Sequence, residues 1–427
     1  MAVSPISNAE MPRAARPAAP RCRACGADLT HTFVDLGMSP LCQTQIHPHE
    51  LNRGENFYPL HVHLCTRCYL VQLEEYVSPQ VIFSEAYPYF SSFSDSWVEH
   101  ARRYADQMIA GQGIGPRAFV IELASNDGYL LQHFKARGIR CLGVEPTAST
   151  ARAALSKGIP TVVEFFGTAL AAKLRSEHGA VDLVLGNNVL AHVPDLNDFV
   201  AGVSSLLAPG GFCTFEFPHL MRLMESNQFD TIYHEHFSYF SFSTVCGVFA
   251  AHGLAMFDVE ELPTHGGSLR IYAQPAATGQ RARTTRVEGL LATEQKEGVH
   301  DLAMYGRFEA RVHATKRGLL QFLIGAREAG KSVVGYGAPG KGNTLLNYCG
   351  IGTDFLDYTV DRNPMKQGTY TPGTRIPILD PEVIRKTRPD YVLILPWNLR
   401  DEIAGKMSYI REWGGRFVVP IPAVEVF

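Results

Sequence analysis

The pattern of apolar and polar positions predicts buried strands that alternate with helices in the middle of the chain. The apolar run 118–123 is typical of a buried strand, and the small residues of 124–128 suit a tight turn before a helix that starts at Tyr129. A second strand, 141–146, and a later one, 181–190, run into acidic or polar residues. This alternation is typical of a parallel sheet in an α/β domain.

The C-terminal third shows a second pattern of this kind. The polar stretch 283–329 has apolar residues at helical spacing and predicts helical scaffold. It leads into a strand and a glycine-rich turn, 332–344, whose Lys341 and main-chain N–H groups could hold phosphate, although the spacing differs from a Walker A loop. A turn that only packs a helix against a sheet explains these glycines equally well. Further strands end near Asp361 and Trp397 and predict a second, smaller Rossmann-like domain.

Length and charge narrow the class of protein. A chain of 427 residues is too long for one core and predicts two or three domains. With 39 basic and 42 acidic residues it has no electrostatic bias towards nucleic acid or membrane, and we expect neither as a partner. No apolar stretch is long enough to span a bilayer, and the Ala/Pro-rich residues 1–20 are expected to form a disordered tail. The odd count of nine cysteines favours a reducing compartment, the cytoplasm.

Two Cys-x-x-Cys knuckles predict a structural zinc site near the start of the chain. Each knuckle offers two thiolates to one tetrahedral ion, so we expect one Zn²⁺ per chain. The predicted ligands are Cys22, Cys25, Cys65 and Cys68. Because four thiolates leave no open position for water, removal of the metal should unfold this domain without touching the chemistry directly. The alternative is that a neighbouring imidazole replaces one thiolate, and the candidates are His47, His49, His61 and His63.

The strand, turn and helix that begin at residue 118 form a cradle of the kind that binds nucleotides. The second strand ends in Glu145, placed where the diol of a ribose would donate its hydrogen bonds. With a late Pro-Gly-Gly turn, 209–211, this order of elements resembles the class I S-adenosylmethionine-dependent methyltransferases. Two of the three glycines in that family's first turn are replaced here by Ala124 and Asn126. The cofactor-binding residues that the resemblance implies are Glu122, Ala124, Asn126, Asp127, Gly128, Glu145, Asn187 and Asn188.

The segment 231–240 contains two imidazoles, a carboxylate and two phenols within ten residues. Such a density of proton-handling groups predicts an acid/base active site. It is not a zinc-protease helix, because His234 and His236 are two positions apart and would point to different sides of a helix. The alternative is a polar patch that caps a helix, with aromatic packing beside it.

Five motifs in one order resemble the sugar-nucleotide C-methyltransferase family, typified by the 3-C-methyltransferases of deoxysugar biosynthesis. They are the paired knuckles and the segments 121–128, 233–241, 265–270 and 335–343. The resemblance covers nearly the whole chain after about residue 20. It implies a methyl acceptor that is a dTDP-linked 4-keto-deoxysugar, with S-adenosylmethionine as the methyl donor.

The family resemblance also implies three domains. A zinc-binding domain is expected over 21–80 and a methyltransferase domain over 81–278. A C-terminal Rossmann-like domain, 279–427, would help to hold the nucleotide sugar. Three domains on one chain could enclose the site without a partner, so we expect a monomer.

The expected reaction begins with loss of a proton next to the C-4′ ketone, which turns C-3′ into a nucleophile. His236 is the expected general base, because a histidine with an unperturbed pKa near 6.5 is partly neutral at physiological pH. Glu235 or a phenol would orient it. The family match offers Tyr233, His192 and Tyr87 as donors to the enolate oxygen.

Several alternatives stay open on the sequence alone. His192 could cap a helix, Tyr87 could pack between domains, and His265 could merely end a strand. A dehydrogenase is a rival for the first cradle, although its Gly-x-Gly-x-x-Gly fingerprint is absent there. A zinc-containing RNA-binding methyltransferase and a non-catalytic sugar-nucleotide sensor are rivals of other classes. The substituent at C-3′, amino or hydroxyl, is not determined.

Overall fold

A computed structural model describes residues 20–85 and 89–427. The expected tail, apart from its last residue, and Tyr87 lie outside the described residues. Within the described part of the chain, no helix is long and apolar enough to cross a membrane.

The regular elements form three sheets with helices packed around them. The strands are β1 (His31–Ser39), β2 (Tyr58–Leu64), β3 (Val71–Leu73), β4 (Phe119–Leu123), β5 (Arg140–Val144), β6 (Thr161–Val162), β7 (Val181–Asn187), β8 (Leu207–Pro218), β9 (Ser238–Tyr239), β10 (Leu254–Leu262), β11 (Ser268–Pro275), β12 (Val333–Tyr336), β13 (Thr359–Val360), β14 (Ile378–Leu379), β15 (Tyr391–Ile394), β16 (Arg416–Val419) and β17 (Glu425–Val426). The helices are α1 (Pro79–Ile82), α2 (Asp95–Gln112), α3 (Leu131–Lys135), α4 (Ala148–Ser156), α5 (Thr168–His178), α6 (Leu196–Leu206), α7 (Leu220–Glu225), α8 (Phe242–Ala251), α9 (Thr285–Glu297), α10 (Leu302–Tyr305), α11 (Phe308–Glu328), α12 (Gly340–Cys349), α13 (Val383–Thr387) and α14 (Arg400–Lys406).

The central sheet has the order β10-β11-β8-β7-β4-β5-β6. Strands β6, β5, β4, β7 and β8 are parallel, β11 is antiparallel to β8, and β10 is antiparallel to β11. All five residues of β4 are buried, because helices cover both faces of a parallel sheet. This confirms the predicted α/β fold and brings the carboxyl ends of β4, β5 and β7 to one edge.

The C-terminal sheet has the order β14-β13-β12-β15-β16-β17, with β17 alone antiparallel to its neighbour. This confirms the expected second Rossmann-like domain. Its strand order reverses between β12 and β15, the place where ligands bind in open sheets of this kind. The stretch predicted as helical scaffold contains three helices, α9, α10 and α11.

The zinc-binding region forms an antiparallel sheet of order β1-β2-β3-β9. Its fourth strand, β9, belongs to the segment 231–240, called the acid/base segment below. In this strand Tyr239 pairs with Val71 and Ser238 with Gln72 of β3. The zinc-binding and C-terminal domains also share apolar packing, since the Phe33 ring of β1 stacks at 4.7 Å on Phe308 of α11. The acid/base segment is therefore built into the zinc-binding region as well as into the methyltransferase domain.

Candidate active site

The carboxyl edge of the central sheet faces a cavity of about 470 Å³. The acid/base segment and the first turn of α12 close its other sides. Five of the eight predicted cofactor residues line this cavity: Ala124, Asn126, Glu145, Asn187 and Asn188. Four of the five predicted catalytic residues line it as well: His192, Tyr233, Glu235 and His236. The fifth, Tyr87, lies outside the described residues.

The turn after β4 keeps a glycine-type backbone although it has only one glycine at the three key positions. Ala124, Asn126 and Gly128 have φ angles of 56°, 50° and 76°, all in the left-handed region. Asparagine tolerates this region because its short side chain can bond locally, and here it accepts from the Ser91 main chain at 2.8 Å and donates to the Tyr89 carbonyl at 3.1 Å. Ala124 has no such compensation.

Glu145 is held with its carboxylate against the cavity. Its two oxygens accept hydrogen bonds from the main-chain N–H groups of Asn126 and Thr147, each at 2.8 Å. Burial raises the pKa of Glu145, while the N–H groups of Thr147 and Asn126 oppose that shift. Each oxygen keeps a second lone pair that a pair of hydroxyl donors can use.

The other three predicted cofactor residues lie behind the cavity wall. Glu122 is fully buried, and burial with the nearby charges of Asp127 and Glu145 raises its pKa well above 4.5. Asp127 accepts hydrogen bonds from the Ser92 hydroxyl and from Lys157 Nζ. Gly128 packs so closely that an added Cβ would lie 3.0 Å from Ile159. These residues shape the turn from behind.

The acid/base segment is an irregular turn between α7 and α8 and positions His236 at the cavity. Nδ1 of His236 lies 2.7 Å from the main-chain oxygen of Thr231. Because a carbonyl can only accept a hydrogen bond, Nδ1 carries the proton and Nε2 keeps a free lone pair. The other imidazole of the segment, His234, lies 3.2 Å from the Pro59 carbonyl of β2 instead.

The environment of His236 differs from the one expected from the sequence. Burial, the adjacent His192 ring and the positive charge of Lys341 lower the pKa of His236 well below 6.5. The expectation of an unperturbed pKa is therefore wrong, because burial takes the ring out of water and disfavours its charged form. His236 is neutral throughout the physiological pH range.

The remaining predicted catalytic groups surround this imidazole. The ring centroids of His192 and Tyr233 lie 4.7 and 4.0 Å from that of His236. Burial lowers the pKa of His192 to about 4 and raises that of Tyr233 well above 10. Glu235 accepts a hydrogen bond from the Cys42 thiol at 3.4 Å. Tyr233 therefore stays protonated as a donor, and His192 stays neutral.

Two cavity residues were missed as site residues in the sequence. Gln43 follows β1 and lines the cavity, and its Oε1 is buried with no hydrogen-bond partner among the described residues. Nothing in its surrounding sequence indicates this. Lys341 was noted as a phosphate candidate, but its place in this same cavity depends on how the C-terminal domain packs. His265 also lines the cavity and lies 3.1 Å from Asn188 Nδ2.

The four knuckle cysteines converge on one point. Their Sγ atoms all lie within 4.8 Å of one another, and in the described part of the chain this is the only group of three or more such ligands. Zinc–sulfur bonds of about 2.3 Å place the sulfurs of a tetrahedron about 3.8 Å apart, so the cluster fits a zinc ion. None of the four spare histidines belongs to this group of ligands, and two of them have other partners, since His61 bonds Thr32 and His63 lies beside Glu74.

A curated relative matches nearly the whole chain. C-methyltransferase NovU from Streptomyces niveus is 38% identical over 405 residues, which cover 95% of this chain and 96% of NovU. The chain belongs to the C-methyltransferase family. It is an S-adenosylmethionine-dependent C-methyltransferase, and the rival RNA-binding reading is not favoured.

Three stretches of this C-methyltransferase match described sequence families. Residues 22–83 match a "Putative zinc binding domain", 97–259 a "Methyltransferase domain" and 263–422 a "C-methyltransferase C-terminal domain". The cofactors are therefore S-adenosylmethionine and, at the cysteine cluster, zinc.

Solved methyltransferase structures resemble part of the chain. PH0226 protein from Pyrococcus horikoshii OT3 is 17% identical with a TM-score of 0.36, covering 48% of this chain and 99% of its own. Magnesium protoporphyrin IX methyltransferase (ChlM) from Synechocystis PCC 6803, with bound SAM, is 13% identical with a TM-score of 0.32, covering 41% and 78%. At these TM-scores the likenesses carry no weight.

The residues at the sheet edge fit S-adenosylmethionine. Glu145 offers acceptors to a ribose diol, and Asn188 Oδ1 is buried with no hydrogen-bond partner among the described residues, so it can take a ligand N–H. Both lie in the same cavity as His236. A methyl donor bound by Glu145 and Asn188 would therefore share one cavity with His236.

Proposed function

We propose that this C-methyltransferase methylates C-3′ of a dTDP-linked 4-keto-deoxysugar, with His236 as the general base. The single observation that carries the proposal is the hydrogen bond from His236 Nδ1–H to the Thr231 carbonyl, which leaves Nε2 basic at the cavity. A ketone supplies the acidity that a neutral imidazole needs, because it delocalises the charge left on the neighbouring carbon. The thymidine link and the choice of C-3′ rest on family resemblance.

In the proposed reaction, His236 Nε2 takes the proton from the carbon next to the ketone. The C–H electron pair moves into a new C=C bond, and the C-4′ oxygen becomes an enolate. Tyr233, which stays protonated, donates to that oxygen. Bound S-adenosylmethionine supplies the electrophilic methyl group that the nucleophilic carbon takes up. The cavity has the carboxyl edge of the central sheet and His236 on its walls, so it can bring the two reactants together.

His192 supports this arrangement through its ring and its main-chain contact. Its imidazole stays unprotonated at neutral pH and lies edge-on to the His236 ring. It also forms a hydrogen bond with the Glu235 main chain. The proposed role of His192 is to position the base and to contribute to the oxyanion site. Tyr87, the third proposed donor, lies outside the described residues. The domain bounds 21–80, 81–278 and 279–427 remain part of the proposal.

The first test follows the proton. A dTDP-linked 4-keto-6-deoxyhexose is incubated in D₂O with the protein and S-adenosylhomocysteine, and NMR reports where deuterium enters. The proposal expects exchange at C-3′ and a methyl group at the same carbon once S-adenosylmethionine is added. Because the C-4′ ketone also acidifies C-5′, exchange and methylation there would refute the C-3′ assignment while keeping the base.

A matched pair of variants tests the base. His236→Asn should slow both exchange and methyl transfer by about two to four powers of ten. His234→Asn is the control, because that imidazole lies two residues away and contacts the Pro59 carbonyl, so the rates should stay close to wild type. Equal rates in His236→Asn and wild type would show that another group removes the proton.

A further inference from the structure

One basic side chain reaches the cavity. Among the described residues that line it, Lys341 is the only lysine or arginine, while carboxylates are numerous. The proposed reaction creates negative charge on an oxygen in this cavity, and a fixed cation in a water-poor site is the strongest stabiliser of such charge.

The main chain places Lys341 directly behind the acid/base segment. It lies in the first turn of α12, after Gly340, which packs so closely that an added Cβ would be 3.0 Å from Cys42 Sγ and 3.6 Å from the Tyr233 ring. The side chain extends from this contact into the same cavity as His236. Its charge reaches the base, since Lys341 is one of the groups that lower the pKa of His236.

Neutral groups hold the ammonium of Lys341. Nζ donates to Asn398 Oδ1 at 2.8 Å and lies 4.5 Å from the centroid of the Trp397 ring. Trp397 Nε1–H in turn donates to Asp230 Oδ2 at 2.7 Å. Because the direct contacts of the ammonium are an amide and an aromatic face, and Asp230 acts on it only from behind Trp397, the cation can still turn towards a developing anion.

Asp230 is the buried counter-charge of this arrangement. Asp230 is fully buried, and its negative charge opposes the lowering of the Lys341 pKa that burial causes. It directly precedes Thr231, whose carbonyl orients His236. Two consecutive residues therefore position the base on one side and, through Trp397, the cation on the other.

We propose that Lys341 is a catalytic residue of the methyl transfer, whose ammonium stabilises the enolate oxygen while Asn398, Trp397 and Asp230 position it. This inference rests on the proposed function. The proton leaves carbon for His236 Nε2, the electron pair moves to the C-4′ oxygen, and Lys341 keeps its own protons throughout. The rival use of the same cation is to hold the diphosphate of the nucleotide.

The test separates these two uses. Lys341→Met and Lys341→Arg are compared with wild type in the deuterium-exchange assay at saturating sugar nucleotide, and dTDP binding is measured by calorimetry. An oxyanion role predicts that Lys341→Met lowers the saturated exchange rate about 10²–10³-fold with dTDP affinity within about twofold. Lys341→Arg keeps the charge and should recover part of the rate. Lys406→Met, an exposed lysine of α14, is the control and should match wild type.

Each other outcome overturns the inference. If Lys341→Met keeps the wild-type rate at saturation while dTDP binding weakens, Lys341 holds the diphosphate. If neither the exchange rate nor the dTDP affinity changes, Lys341 neither stabilises the enolate nor binds the diphosphate. If Lys341→Met does not fold, Lys341→Gln takes its place, and a wild-type exchange rate in that neutral variant overturns the inference. A wild-type protein that exchanges no proton would overturn the proposed function itself, and the inference with it.

Discussion

Arg23 Nη1 donates a 2.7 Å hydrogen bond to the main-chain oxygen of Pro194. Arg23 lies inside the first zinc knuckle, whereas Pro194 lines the active-site cavity. The same guanidinium donates to the Leu73 carbonyl and lies 5.3 Å from the centre of the Phe237 ring. The zinc-binding domain therefore touches the wall of the cavity and the residue next to His236. This changes the expectation that zinc affects stability alone.

We predict that removing zinc abolishes methyl transfer as well as loosening the N-terminal domain. Without the metal, the knuckle that carries Arg23 loses its geometry, and β9 loses a rigid partner in β3. The check is methyltransferase activity and zinc content on one sample during titration with a chelator, followed by restoration with Zn²⁺. Full activity in zinc-free protein would contradict the prediction.

A variant separates the arginine from the metal. Arg23→Met should still bind one zinc but lose about 2 kcal/mol of unfolding free energy, because buried carbonyls lose a charged donor. We expect kcat to fall about tenfold or more, since the cavity wall shifts. Arg21→Met is the control, because Arg21 is exposed and, among the described residues, its side chain pairs with Asp28 alone, at 3.4 Å. Equal kcat in the two variants would contradict a link between knuckle and cavity.

The pH dependence should report the lowered pKa of His236. The base must be neutral, and its pKa lies well below 6.5, so kcat/KM should stay level from pH 8 down to 6.5 and fall only below that. Asp230, whose pKa burial raises to about 6, is the other group that titrates near this range. If the fall of kcat/KM at low pH disappears in Asp230→Asn, that fall reports the titration of Asp230. A fall of kcat/KM with its midpoint at or above pH 6.5, in both wild type and Asp230→Asn, would contradict the environment described for His236.

The turn after β4 predicts a stabilising substitution. Ala124→Gly should raise the unfolding free energy by about 0.5–1 kcal/mol, because Ala124 has a φ of 56°, where a Cβ is unfavourable. The control is Ala153→Gly inside α4, which should lose about 1 kcal/mol. Denaturant unfolding measures both. If Ala124→Gly destabilises as much as Ala153→Gly, the left-handed turn does not carry the expected strain.

Glu294 of α9 connects His219, the residue after β8, to the first residues of α8. Its fully buried carboxylate accepts hydrogen bonds from His219 Nε2 and from the N–H groups of Phe242 and Ser243, at 2.6–2.7 Å. Burial alone would raise its pKa, but these bonds and the nearby His219 outweigh it and the pKa is lowered. Glu294→Ala should therefore cost about 3–5 kcal/mol of stability.

The sign of the pH effect follows from the lowered pKa of Glu294. Its contribution is present above the unfolded pKa of about 4.5 and is lost as pH falls through the folded one. The difference in stability between wild type and Glu294→Ala should thus shrink in acid. Glu297→Ala, at an exposed position of α9, should cost little at any pH. An equal cost for the two variants would show that the buried acid contributes nothing.

Local patterns predicted the elements well and the contacts of the site only in part. Strands such as β4 are continuous apolar runs, so their burial is evident from the residues themselves. The left-handed backbone at Ala124 and Asn126 is not evident, because neither residue requires it and the Tyr89 and Ser91 contacts that support it are distant in sequence. The density of proton-handling groups predicted the acid/base segment and the family resemblance added His192, whereas Gln43 and the position of Lys341 had no local signal.

The sequence by itself determined the order of elements and the four zinc-ligand candidates, because chain periodicity and Cys-x-x-Cys spacing are local properties. Only the tertiary structure decided which nitrogen of His236 is basic, since that depends on the Thr231 carbonyl folding back onto its ring. It also decided that a lysine from the C-terminal domain and an arginine from the zinc knuckle meet at one cavity. Charge, burial and hydrogen bonding at a site are set by neighbours in space, which the chain brings together only when it folds.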